Sequence, residues 1–171
     1  GVGGGLSAAL ARALTGDGYR CVLAARNTAK LAPLASEINA AVVTCDASDV
    51  ASVDTLFRSV DALGAPLSVA IYNASARVRG ALEDLVPAEV ERTIATTAFG
   101  GFLMAQAAAK RMLASGTGTI LFTGASASVK GYAQSAPFAM GKFALRGLAQ
   151  SMARELAPRG IHVGHIVIDG G

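Results

Sequence analysis

The 171 residues, 52 per cent of them hydrophobic, make one domain by size and are enough to bury a substantial core. Polar residues or glycines interrupt every apolar run before it reaches the roughly 18 residues of a membrane-crossing helix, which excludes such a helix. Fifteen basic and twelve acidic side chains, net +3, lie scattered without the stripe that tracks a phosphodiester backbone, which argues against nucleic acid as a partner.

Gly1 opens a glycine-rich loop with no strand before it, and the last strand runs out at Asp169, Gly170 and Gly171. The expectation is a single domain, residues 1–171, cut at both ends. The opening GVGGGLS runs into AALARAL, whose spacing and propensity predict a helix to about Thr15, stopped by Gly16 and Gly18. A glycine loop at a helix start turns backbone N–H groups toward an anion and lets a pyrophosphate come close. A flexible tail is the alternative reading of the same seven residues.

YRCVLA, from Tyr19 to Ala24, reads as a short strand with Arg26 and Asn27 just after it. About 20 residues beyond the glycines is where a dinucleotide site selects its cofactor: an acid there accepts from the adenosine ribose, whereas an arginine without the acid pairs with a 2'-phosphate. Ala24 and Ala25 stand where the acid would be, so NADP(H) is favoured over NAD(H), against a solvated Arg26. Thr28 to Asn39 is a helix with Leu31, Leu34, Ala35 and Ile38 on one face, and Ala41 to Cys45 is the next strand. Cys21 and Cys45, offset by about four residues on neighbouring parallel strands, are too far apart for a disulfide. Two free thiols fit a reducing cytoplasm.

Asp46 opens DASD; its carboxylate accepts from an adenine amino group or caps a turn, while Ser48 or Asp49 caps the helix from Val50 to Leu63. After Pro66, LSVAIYNAS is a strand ending at Asn73. Strands alternating with helices at these spacings predict an α/β fold, a doubly wound parallel sheet with helices on both faces, and ligands in such sheets bind at the strands' carboxyl ends. The glycine loop, Arg26, Asp46 and Asn73 all fall there.

Over essentially its whole length the chain resembles the classical short-chain dehydrogenase/reductase family. The G-x-x-x-G-x-G pattern matches Gly1 and Gly5, with Ser7 in the third place; Asp46 matches the adenine-contacting Asp; Tyr72, Asn73, Ala74 and Ser75 stand where the family has N-N-A-G. The resemblance implies a Rossmann-like fold, NAD(P)-dependent oxidation and reduction of alcohols and carbonyls, and dimers or tetramers. It also implies a first strand before Gly1 and a substrate loop, a helix and a last strand beyond Gly171. It puts the dinucleotide against Gly1, Gly3, Gly4, Gly5, Leu6, Arg26, Asp46, Ala47, Asn73, Ala74, Lys142 and Gly170. Arg77 and Arg79 then border the substrate mouth, as attractors of an acidic substrate or as solvated loop residues.

Pro87 to Leu113 reads as one long helix bent near Gly100 and Gly101; Thr119 to Leu148 is strand, small-residue loop and helix. The family's chemistry uses Asn, Ser, Tyr and Lys, and Lys142 sets the register. Y-x-x-x-K puts the tyrosine at Phe138; the serine, 13 residues earlier, falls on Ala125 with Ser126 next; the asparagine, three before the helix glycine Gly100, falls on Thr97. A variant spacing points to Ser135, and Tyr132 lies in the loop, off the Lys142 face. Phe has no proton to give, and losing a positioned general acid typically costs about 100 to 10,000-fold.

His162 and His165 in IHVGHIVI are three apart, so they face opposite ways and cannot share a metal. Met104, Met112, Met140 and Met152 read as core or interface fill. Asp169 and Gly170 occupy the family's P-G site. The expectation is an NADP(H)-binding oxidoreductase with an atypical site and an unknown small-molecule substrate, or a catalytically silent relative serving as sensor or scaffold. Pairing of the helices at Pro87 to Leu113 and Pro137 to Ala157 into a homodimer or homotetramer follows by resemblance.

Overall fold

The computed structural model describes residues 5–168. The chain divides into two compact units, Gly1–Gly64 and Ala65–Gly171. Its hydrogen-bonded strands form two parallel sheets, one in each unit.

In the first unit, α1 (Leu6–Gly16) leads through a turn at Gly18 (φ +89°) to β1 (Val22–Ala25). The strand starts later than the apolar run suggests, because Tyr19 N–H still closes on Leu14 O at 3.0 Å and Tyr19 stays exposed. A 3-10 turn, Ala29–Leu31, precedes α2 (Ala32–Ile38), since Asn27 Oδ1 accepts from Ala29 N–H and Pro33 fits only a helix's first turn. β2 (Ala41–Thr44) pairs with β1 from Val22 opposite Ala41 to Ala25 opposite Thr44. Ala8, Ala11, Leu23, Leu31 and Leu34 form the core between the helices and the sheet. Asp49 caps α3 (Val50–Asp61), accepting from Ser52 N–H at 2.7 Å. Both cysteines are free; Cys45 is buried and Cys21 half-buried.

In the second unit β4 (Gly118–Thr123) is the central strand, with β3 (Val69–Tyr72) on one side and β5 (Ile161–Ile166) on the other. The registers set Tyr72 opposite Phe122 and Thr123 opposite Ile166, so β3, β4 and β5 end together. The expected long helix is three pieces: α4 (Pro87–Ile94), a π turn (Ala95–Phe99) and α5 (Gly100–Ser115). The interruption lies near the two glycines, as expected, immediately before Gly100. A Cβ on Gly101 would strike Leu145, so this glycine brings α5 close to α6 (Ala136–Leu156). Phe122, Ile120, Met112, Leu145 and Ile161 are fully buried around that contact. Among the described residues no helix is long and apolar enough to cross a membrane.

Candidate functional site

The candidate residues of the first unit gather at the carboxyl ends of β1 and β2 and at the start of α1. Gly5 is the N-cap of α1 and Leu6 its first residue; among the described residues a Cβ built on Gly5 would meet nothing within 4 Å. Gly1, Gly3 and Gly4 lie outside the described residues, as do Asp169 and Gly170. Arg26 is exposed directly after β1. Asp46 Oδ1 accepts from Ser48 N–H at 2.9 Å and from Ser48 Oγ at 2.7 Å, closing a turn over Ala47. The Ser48 hydroxyl and amide hold the Asp46 carboxyl below the usual range, with Arg26 adding a smaller pull in the same direction. Asp46 is therefore ionised at neutral pH and uses one oxygen locally, while Asp49 serves as the cap.

In the second unit the chemistry converges on Thr123, which the sequence reading passed over. Its hydroxyl donates to Asn73 Oδ1 at 2.6 Å, and its carbonyl accepts from Lys142 Nζ at 2.8 Å. One residue at the end of β4 thus fixes both the Asn73 side chain beyond β3 and the lysine head from α6. Lys142 is only 4 per cent exposed, and burial lowers its pKa from 10.5 to about 8. Phe138 stands one helical turn before it, with Lys142 Nζ 5.7 Å from the ring centre. Arg77 Cζ lies 4.9 Å from the centre of the same ring. The Phe138 ring therefore has two cations within 6 Å of its centre.

The other candidate residues make local contacts. Thr97 is fully buried in the π turn and its Oγ1 accepts from Ala76 N–H at 3.0 Å. Tyr72, buried, donates its hydroxyl to the Thr96 carbonyl, so two side-chain contacts support the π turn. Ala125 N–H donates to Ser128 Oγ at 3.0 Å, fixing the entry to the 3-10 turn Ser126–Ser128, in which Ser126 is half-buried. Tyr132 is exposed, with Lys130 Nζ 5.0 Å from its ring centre, and Ser135 is the N-cap of α6. Ala74 is half-buried beside Asn73.

His165 on β5 packs its ring on Gly124, where a Cβ would strike Cε1. Its Nε2 is buried without a partner among the described residues. Burial, then the charges of Arg146 and Lys142, push its pKa down, so it is neutral at pH 7. Among the described residues no three His, Cys, Asp or Glu side chains gather as a metal site.

The short chain dehydrogenase family model matches residues 1–169. A solved short-chain dehydrogenase from Rhodopseudomonas palustris is 38 per cent identical, with a TM-score of 0.91 over 99 per cent of this chain and 82 per cent of that one. A gluconate 5-dehydrogenase from Burkholderia cenocepacia, solved with NADP and tartrate, is 27 per cent identical, with a TM-score of 0.89 over 96 per cent of this chain and 67 per cent of that one. The 3-oxoacyl-(acyl-carrier-protein) reductase MabA of Mycobacterium tuberculosis is 28 per cent identical over 90 per cent of this chain. The chain spans 60 per cent of that reductase's length. The Rossmann-like α/β fold expected from the sequence is the fold of these structures.

Proposed function

We propose that this chain, which belongs to the short-chain dehydrogenase family, serves an oxidoreductase that uses NADP(H) in preference to NAD(H) on a carbonyl or alcohol, through an altered proton-transfer set. The observation that carries the reading is Lys142, buried and held by the Thr123 carbonyl one turn after Phe138. The buried ammonium has three donors and spends one on Thr123, which leaves two for the hydroxyls of a ribose. Asn73, fixed by the Thr123 hydroxyl, and Ala74 border the same strand ends. In the first unit, the side-chain-free N-cap Gly5 at the positive end of the α1 helix suits a pyrophosphate. An exposed Arg26 with no acid before it suits a 2'-phosphate, and ionised Asp46 suits an adenine amino group. That the Burkholderia relative was solved with NADP supports the same choice.

The dinucleotide, when bound, supplies or takes up a hydride at its nicotinamide ring. This chain's residues then have to hold the substrate oxygen and move a proton. Phe138 holds no proton and Ala125 no hydroxyl, so we assign the substrate oxygen to Ser126 and the proton to water or Lys142. Turnover on this reading is slow, because a positioned acid contributes about 100 to 10,000-fold and an oxyanion donor about 3 kcal/mol more. We place the protein in the cytoplasm as a homodimer or homotetramer.

The test is titration of the full-length protein with NADPH and with NADH, read by cofactor fluorescence, with single-turnover rates for the Phe138→Tyr, Ala125→Ser double variant. The expected result is tighter NADPH than NADH binding, weakening with Lys142→Met, and a rate rise of about 100-fold or more with the restored hydroxyls. Failure to bind either dinucleotide overturns the reading. NADPH binding with no turnover, even in the double variant, favours the second reading, a silent sensor or scaffold, which the two hydrocarbon slots at Phe138 and Ala125 also suit.

A further inference from the structure

Arg77 is a surface arginine whose backbone is not loose. Ala76 N–H, one residue before it, donates to Thr97 Oγ1 at 3.0 Å in the fully buried π turn. Gly80 N–H, three residues after it, donates to Gln134 O at 3.2 Å in the loop that enters α6. Gln134 itself sits at φ +57°, a left-handed conformation that a glutamine takes only where its surroundings impose it. The segment bearing Arg77 is thus pinned at both ends, and its guanidinium is delivered 4.9 Å from the Phe138 ring centre. The ring contact adds a cation–π attraction and leaves a guanidinium its planar fork of N–H donors, which matches a carboxylate or phosphate edge.

The charge carried by the two segments that hold Arg77 and Phe138 is of one sign. From Asn73 to Ala81 and from Gly124 to Gly141 the sequence has no Asp or Glu, whereas it has Arg77, Arg79 and Lys130. No ion pair satisfies Arg77 among the described residues. Lys142 approaches the same ring at 5.7 Å. Two cations on one ring, one buried beside the expected reacting centre and one exposed at its rim, fit a short molecule with a carbonyl or hydroxyl at one end and an oxyanion at the other.

We infer that Arg77 is a specificity-determining residue that anchors an anionic group, carboxylate or phosphate, on a short-chain carbonyl or alcohol substrate. The inference rests on the reading of Lys142 and Phe138 as the reaction centre. It makes the Phe138 ring a platform for the anchor, a role that no hydroxyl is needed to fill.

The test uses the full-length protein with NADP+, which cannot reduce a carbonyl, and ketone probes without a free alcohol, so binding is read without turnover. Calorimetric titrations compare acetoacetate with methyl acetoacetate, and hydroxyacetone phosphate with methoxyacetone. The charged member of at least one pair is expected to bind about ten- to a hundredfold tighter, the scale of a charge-assisted bidentate contact. The pair that discriminates identifies carboxylate or phosphate. Arg77→Met should abolish the preference, Arg77→Lys should retain part of it, and NADPH affinity should be unchanged in both. Equal binding of charged and uncharged members overturns the inference, as does an equal loss from Arg79→Met, which would mean a diffuse field rather than an anchor. The same titrations without cofactor separate the two ideas: an Arg77-dependent preference that persists while neither dinucleotide binds sinks the cofactor reading and keeps the anchor.

Discussion

Lys142 sits where its charge is disfavoured. In the unfolded chain its ammonium titrates near 10.5, and in the folded chain burial brings this to about 8. Below both values each state carries the proton, and the folded state bears the whole desolvation penalty. Between them the unfolded chain holds more protons, so stability rises with pH through that window. The full effect is about 3 kcal/mol, offset by about 1 kcal/mol for the hydrogen bond to Thr123. Lys142→Met is therefore expected to stabilise the fold at pH 7 by about 1–3 kcal/mol while weakening dinucleotide binding. In urea melts at a series of pH values, the variant's advantage should shrink from pH 8 to 10.5; an advantage that stays flat would refute the buried, protonated lysine. The pair Phe138 and Lys142 was legible in the sequence because two positions four apart on a helix share a face. Thr123 was not, because half of its role is played by a backbone carbonyl, which every residue type possesses. Arg77 was visible only as a charge in a loop; nothing local in the sequence says that its ends are tied to Thr97 and Gln134.

The elements that carry these residues are set by close packing at α6. The sequence suggested a bend near Gly100 and Gly101, and the irregularity ends directly before them. The structure uses Gly101 for close approach and puts the irregularity at Ala95–Phe99, where the Tyr72 hydroxyl donates to the Thr96 carbonyl and Thr97 Oγ1 accepts from Ala76 N–H of the neighbouring loop. A π turn has no sequence period of its own, so only the tertiary partners reveal it. Thr97→Val keeps the shape and removes the acceptor for Ala76 N–H, which should cost about 1–3 kcal/mol in a urea melt and loosen the Arg77 segment. Two glycines of α6 give an opposed pair of outcomes. A Cβ on Gly141 would lie 2.8 Å from Thr97 Cβ, whereas one on Gly147 would meet nothing within 4 Å. Gly147→Ala should stabilise by about 0.5–1 kcal/mol through helix propensity, and Gly141→Ala should destabilise by about 1–3 kcal/mol. If both changes stabilised, the tight α6 contact with the π turn would be wrong.

At the scale of the molecule, charge and apolar surface are both unevenly placed. From Ala65 to Gly171 the sequence has ten Lys and Arg against six Asp and Glu, whereas residues 1–64 have five against six. The net +3 of the whole chain therefore resides in the second unit. The same unit exposes Phe99, Phe102, Met140 and Phe143 by 39 to 51 per cent, with the Phe99 and Phe102 rings stacked at 6.1 Å. Beside them a groove of about 650 Å³ is lined by apolar residues including Leu82, Val90, Ile94, Phe99 and Met140. Single exposed apolar residues are ordinary, but a cluster of aromatics on two neighbouring helices is what association covers. The proposed dimer or tetramer gives this face its partner in a second copy. Light scattering of the full-length protein at micromolar concentration is expected to give at least twice the protomer mass. Phe102→Asp with Phe143→Asp should reduce it to the protomer with the circular dichroism unchanged, since both side chains are already partly in water and their replacement removes no core. A monomeric wild type would sink the proposal. A double variant that stays associated would mean that the contact lies on another face, and these phenylalanines would then be left to solvent for a reason outside assembly.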